Sequence, residues 1–198
     1  KVADGRDMNA ILHRLVRNNG WVEQRYAPEA VREAAIAHTV ERYRVIAAKE
    51  RALEGYEAGL AEMRRTLDRQ PRREMTQALY DRFTGLAHAR DCLARSLAHT
   101  RARSAALVAH GKHAGLVERV LAEQCVSIVA SPVAADALVI GTLSPGPMLD
   151  ARDARAVDRS EGAWRDATGR AVLTAWSLAG DEADSTELAG SARREGAR

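Results

Sequence analysis

LDRQPRREMTQALYDRF, residues 67–83, sets one proline between two charged runs of good helix formers. Proline has no backbone N–H and its ring clashes with the preceding turn, so residues 70–74 read as a break between helices. On the upstream side, Leu53, Tyr56, Leu60, Met63 and Leu67 recur in steps of three and four, which places them on one helical seam. Extended backwards with one irregular step, the seam takes in Ile46, Tyr43, Val40 and Ile36. A first helix is therefore expected over about 28–69, with Pro28 in its first turn and Glu29 and Glu33 near its positive end.

Downstream of Pro71 the same test selects Leu79, Phe83, Leu86, Leu93, Leu97, Leu107 and Leu121. Small or polar residues hold the intervening seam positions (Arg90, Thr100, Ser104, Gly111, Ala114, Glu118), and Gly111 and Gly115 weaken a helix by about 1 kcal/mol each. This gives a second helix over about 75–128. Two helices that each bury one stripe cover each other if the chain folds back at Pro71. The expected fold class is all-α, a long antiparallel two-helix coiled-coil hairpin with arms of roughly 60 and 80 Å. A Pro-kinked continuous helix pairing with a second chain is the competing arrangement.

Outside the hairpin, residues 8–26 read as an additional helical segment interrupted by Asn18, Asn19 and Gly20. From Ser131 onward the pattern is lost. Residues 131–198 are expected to be a largely irregular or disordered tail, with ALVIGTL as a short strand or docking peptide and a short helix over 163–179.

Composition agrees with long, solvent-bathed helices: 46% apolar, 29% charged and only 4% aromatic. The net charge of +3 is unevenly spread, since residues 1–130 hold 22 Lys/Arg against 16 Asp/Glu, and residues 131–198 hold 8 against 11. Cys92 and Cys125 have neither the spacing of a zinc site nor that of a disulfide framework, and read as reduced cytoplasmic thiols. The apolar stretch 125–143 contains Pro132 and Asp136, and a central Asp costs about 2.5 to 3.5 kcal/mol on insertion, so membrane insertion is not expected.

Catalytic signatures are missing. No phosphate loop, dinucleotide fingerprint, nucleophile elbow or HExxH motif occurs, so no cofactor, metal or enzymatic activity is expected. His88, His99 and His110 share a helical face at 11-residue spacing but would stand about 16 Å apart, too far to share a metal. His110 and His113 lack a third ligand nearby. The clearest charge feature is RRTLDRQPRRE, in which Arg64, Arg65, Arg69, Arg72 and Arg73 would form a cationic knob at the hairpin tip. Helix 2 would add further cations, Lys112 among them. Such a surface suits an acidic protein face, or sequence-independent contact with nucleic-acid phosphates.

The segments LHRLVRNNGWVEQRYA and ALYDRFTGLAHARDCLARSLAHTRARSAALVAHGKHAGLVERVLAEQ together resemble the YscO/FliJ family, the stalk proteins of type III secretion and flagellar export ATPases. The resemblance covers roughly residues 9–125. It implies a non-enzymatic rod, peripheral to the inner membrane, that links an export ATPase hexamer to an export gate protein and also engages secretion chaperones. Tyr80, Phe83 and Leu86 then become candidate gate contacts, with the arginine knob facing acidic gate or chaperone surfaces. A generic helical adaptor or secretion chaperone, and a basic coiled coil that binds nucleic acid, are the alternatives.

Overall fold

A computed structural model of the chain describes residues 6–111, 113–160 and 163–176. The chain divides into two units, Lys1–Phe83 and Thr84–Arg198. The first contains α1 (Met8–Tyr26), α2 (Glu29–Lys49), α3 (Leu53–Thr66) with a 3-10 turn at Leu67–Arg69, and α4 (Gln77–Thr84), whose last residue crosses the division.

In this helical unit α1 and α3 run parallel, with α2 returning between them. The register is visible in side-chain pairs that keep a constant offset. Arg17 binds Glu62 at 3.1 Å, the Trp21 indole N–H donates to Thr66 Oγ1 at 3.0 Å, and the Arg25 guanidinium donates to Gln70 Oε1. Each step advances both partners by four residues, so one face of each helix is matched turn by turn. Close approach is set by glycine. A Cβ added at Gly55 would lie 2.1 Å from the Asn9 carbonyl oxygen, and one at Gly59 would lie 2.3 Å from that of His13. Leu12, Val16, Tyr43, Ala47, Ala52 and Tyr56 fill the core.

Pro71 opens an extended strap rather than a hairpin tip. The backbone N–H groups of Arg73 and Met75 donate to the Arg25 and Tyr26 carbonyls at 2.8 and 2.9 Å. The Arg72 guanidinium donates to the carbonyls of Gln24 and Ala27, which end α1. Two residues on, a Glu74 carboxylate oxygen accepts the N–H of Glu29, the first residue of α2, at 2.8 Å. One short segment thus places a cation at the negative end of α1 and an anion at the positive end of α2.

The second unit contains α5 (Leu86–Thr100), β1 (Ser104–Val108), α6 (Ala114–Glu123), β2 (Ser127–Ile128), β3 (Ala137–Ile140), α7 (Pro145–Asp153), β4 (Asp158–Ser160), β5 (Ala163–Arg165) and β6 (Ala171–Leu173). Strand order is β2-β1-β3-β6-β5-β4. The first four strands are parallel, and β5 and β4 pair antiparallel. Both faces of the central strands are covered. Ala105, Ala137 and Val139 join Leu93, Leu97, Val117, Val120 and Leu121 of α5 and α6, while Ala106, Val108, Leu138 and Ile140 join Met148 and Ala151 of α7. Asp136 aligns the starts of β1 and β3. Its carboxylate accepts the N–H groups of Arg103 and Ser104 at 2.9 and 2.8 Å, and these bonds hold it below the usual carboxylate range.

The two-helix hairpin and the coiled coil are therefore corrected: the described residues form seven α-helices and a six-stranded mixed sheet. The first seam is cut between α2 and α3, where Arg51 adopts φ 55°. The second is cut three times by non-glycine residues in the left-handed region, Arg101, Ala109 and His113, so no helix continues through 101–113. Ser104–Val108 and Ala137–Ile140 are continuous short apolar runs, the composition of strands buried on both faces. The expected helix at 163–179 meets strands at Ala163–Arg165 and Ala171–Leu173, paired through a turn in which Asp166 accepts from Thr168 and Arg170. The largely irregular tail expected over 131–198 is likewise corrected, since β3, α7, β4, β5 and β6 lie within it; residues 177–198 fall outside the described residues.

Replacing Arg72 by Ala should destabilise the helical unit by about 1–2 kcal/mol, and Arg72→Lys should recover only part of this, because an ammonium cannot span two carbonyls. Chemical denaturation followed by helical circular dichroism measures both. Gly55→Ala should cost about 1–3 kcal/mol and more than Gly20→Ala, since the new Cβ meets rigid backbone at Gly55 but the flexible Met63 side chain at Gly20.

In the α/β unit, the Arg90 hydrogen bond, with help from Arg119, lowers the Glu123 carboxyl from 4.5 to about 2. A depressed folded-state value means stability that is present above pH 4.5 and lost as pH falls toward 2. Glu123→Gln should therefore be the less stable protein at neutral pH, and its denaturation midpoint should converge on the wild-type value near pH 2.

Candidate functional site

In a parallel sheet wound in both directions, the chain leaves two neighbouring strands toward opposite faces, and a crevice opens beyond their carboxyl ends. Here those strands are β1 and β3, paired from Ala105↔Ala137 to Val108↔Ile140. β1 exits to α6 on the face that also carries α5, and β3 exits to α7 on the other. The two exits are AHGKH, 109–113, and GTLS, 141–144. They are tied together: the Gly141 N–H donates to the Val108 carbonyl and the Gly111 N–H to the Gly141 carbonyl, each at 2.8 Å. A side chain at Gly111 would lie 2.9 Å from Thr142 Cβ and Oγ1, so this approach requires glycine.

Both helices begin without a side-chain cap and without an acidic residue in the first turn. Their second positions are Gly115 and Gly146, where an added Cβ would meet nothing within 4 Å. The N–H groups of a helix's first turn have no intrahelical acceptor, and each helix start carries roughly half a positive charge. In α6 the Ala114 and Leu116 N–H groups already donate to the Gly111 and His113 carbonyls, and in α7 Pro145 and Pro147 have no N–H, which leaves the N–H groups of Gly115 and Gly146. Neither exit loop contains a carboxylate. His110 is exposed on the first loop, and His113 forms the start of α6 with φ 72°. Beside the second loop, Trp176 lies over the His88 ring at a centroid distance of 3.9 Å. A Cβ placed at Gly85 would be 3.7 Å from both Leu143 and Trp176, which puts the indole in the neighbourhood of the loop. Among the described residues no group of three His, Cys, Asp or Glu could hold a metal ion.

The residues singled out from the sequence do not gather here, nor with one another. Arg72 is spent on the end of α1, and the surface knob is reduced to Arg64 and Arg65 on α3, Arg69 in the following turn and Arg73 on the strap, all exposed. Tyr80 is buried and donates its hydroxyl to Glu23 at 2.5 Å; burial, and then this bond, raise its pKa well above the usual tyrosine range. Phe83 is 55% exposed, whereas Leu86 is buried in the core between α5 and the sheet. Lys112 lies outside the described residues. The glycines of the crevice are the functional signal that helical periodicity concealed. It is written twice as an apolar run, a short glycine-bearing loop and a glycine at the second helical position: SAALV-AHGKH-AG and ALVI-GTLS-PG.

No protein-family model, curated protein or solved structure matches the chain. No helix among the described residues is long and apolar enough to cross a membrane.

Proposed function

We propose that the α/β unit is a binding module for a small anionic ligand of the phosphate-ester class, seated at the carboxyl edge of β1 and β3. One observation carries the reading: two helix starts, each with an unobstructed glycine at its second position and no acidic side chain in its first turn, follow adjoining parallel strands whose exit loops contain no carboxylate. His110, exposed on the first loop, supplies an imidazole donor, and Trp176 supplies an apolar surface for an organic portion. The buried Cys92 and exposed Cys125 are both free thiols, which suits a reducing, cytoplasmic setting. The export-stalk reading required a stiff hairpin as its axle. With the hairpin replaced by two differently built units, nothing in the fold favours that role.

Titration of the full chain with inorganic phosphate and with adenosine mono- and diphosphate, followed by amide NMR, tests the proposal. The Gly115 and Gly146 resonances should shift together, saturably, and less at high salt. Gly115→Glu should abolish the shift at Gly146 while leaving stability unchanged or raised by about 0.3–1 kcal/mol, since a carboxylate suits a helix start but occupies the anion's place. Silence of both amides at millimolar ligand, or full binding by the glutamate variant, would refute it.

A further inference from the structure

The helical unit carries a second concave feature, independent of the crevice. α2 and α3 are in contact near their connection, where the Tyr56 hydroxyl donates to the Val40 carbonyl at 3.2 Å. From there toward the start of α2 and the end of α3 lies an open groove of about 480 Å³. Its floor is apolar, formed by Ile36 and Val40 from α2, Met63 from α3 and Leu67 from the turn that follows it. Glu33 and Glu41 edge the α2 side, Glu41 already paired with Arg44 at 2.7 Å, and Arg64 edges the α3 side. The α2 residues stand at i, i+3, i+4, i+7 and i+8, so a continuous face of that helix is turned toward the gap.

An apolar trough between two helices accepts a third helix that presents large side chains one turn apart. The same unit displays such a helix. α4 is anchored on one side by Tyr80, and its Leu79 and Phe83, four residues apart, are 43% and 55% exposed. Arg82, next to Phe83, is also exposed and matches the acidic α2 edge in charge. Because Tyr80 fixes α4, little conformational entropy is lost when its outer face docks.

We infer that the groove receives α4 of a second copy of this chain, Leu79 and Phe83 entering the apolar floor and Arg82 facing Glu33. Donor and acceptor surfaces lie on the same unit, so a two-fold axis makes the contact twice and closes a dimer.

Sedimentation equilibrium and light scattering of the full chain over a concentration series decide the matter. Wild type should be dimeric. Phe83→Asp, at an exposed position, should weaken dimerisation by about tenfold or more with an unchanged circular dichroism spectrum. Arg82→Glu should weaken it as well, and combining Arg82→Glu with Glu33→Arg should restore it, a rescue that loss of folding cannot mimic. A wild type that remains monomeric overturns the inference and leaves the groove to a helix from a different protein. A dimer indifferent to Phe83→Asp, or one that charge reversal fails to rescue, overturns it equally.

Discussion

The helical unit depends on what Arg72 and Glu74 do at one corner. α1 ends and α2 begins within three residues, so the negative end of one dipole and the positive end of the next meet around Ala27 and Pro28. Left to water, both helix ends would keep unsatisfied backbone groups. The strap brings a guanidinium to the α1 carbonyls and a carboxylate to the first α2 N–H, and the two side chains also approach each other at 3.4 Å. Pro71 suits the first residue of such a strap, since an extended segment needs no helical N–H from it. The strap lies on the α1 side of the unit because α3, which leads into it, is already held parallel to α1 by the glycine contacts and the Arg17, Trp21 and Arg25 pairs. The proximity of Gly55 to Asn9 and of Gly59 to His13 commits the packing face of α3 to α1. α2 is then left to touch α3 chiefly near their shared turn, and the groove follows from this unequal division of contacts.

A different constraint builds the α/β unit. Strands β1 and β3 have almost no polar face, so they are stable only between two layers, and α5 with α6 on one side and α7 on the other supply them. Covering both faces forces successive connections to opposite sides, and this divergence creates the crevice at the carboxyl edge. Asp136 contributes from the other end by fixing the relative start of β1 and β3, which brings Val108 and Ile140 level and lets Gly111 reach the Gly141 carbonyl.

Some of this was open to a reader of the sequence, and the divide is physical. The interruption at Pro71 is legible because a missing N–H acts locally. The destination of the strap is not, because it depends on carbonyls some 45 residues earlier. The steps of three and four through Leu53, Tyr56, Leu60, Met63 and Leu67 do mark a helix, α3 with its closing turn, yet Leu53 is 44% exposed while Gly55 and Gly59 are buried. The buried face thus holds the seam residues Tyr56 and Met63 together with Gly55 and Gly59, and apolar periodicity marks only the first two. Past Thr100 the register was sustained by widely spaced leucines alone. Leu107 and Leu121 fit a helical seam by number, but the first sits in a strand and the second in a later helix. Both lie at the same core, so a shared burial produced a false period. The small residues between them, Ser104, Gly111 and Ala114, were the warning, being respectively a strand start, a loop contact and a helix start.

Charge illustrates the same limit. A sequence pI near 9.1 and a cluster of five arginines suggest a cationic surface for an acidic partner. In the folded chain several arginines act as internal fasteners instead. Arg17 holds Glu62, Arg72 holds the α1 carbonyls, Arg90 and Arg119 share Glu123, and Arg170 pairs with Asp166. A guanidinium suits this work because its planar fork reaches two acceptors at once and stays charged when half-buried. Net charge counts such residues as though they faced solvent. The exposed cations that remain near residues 64–73 are divided among a helix, a turn and a strap. On the proposed reading, an anion would be held less by these arginines than by the backbone N–H groups at Gly115 and Gly146, which carry no formal charge and leave no mark on composition.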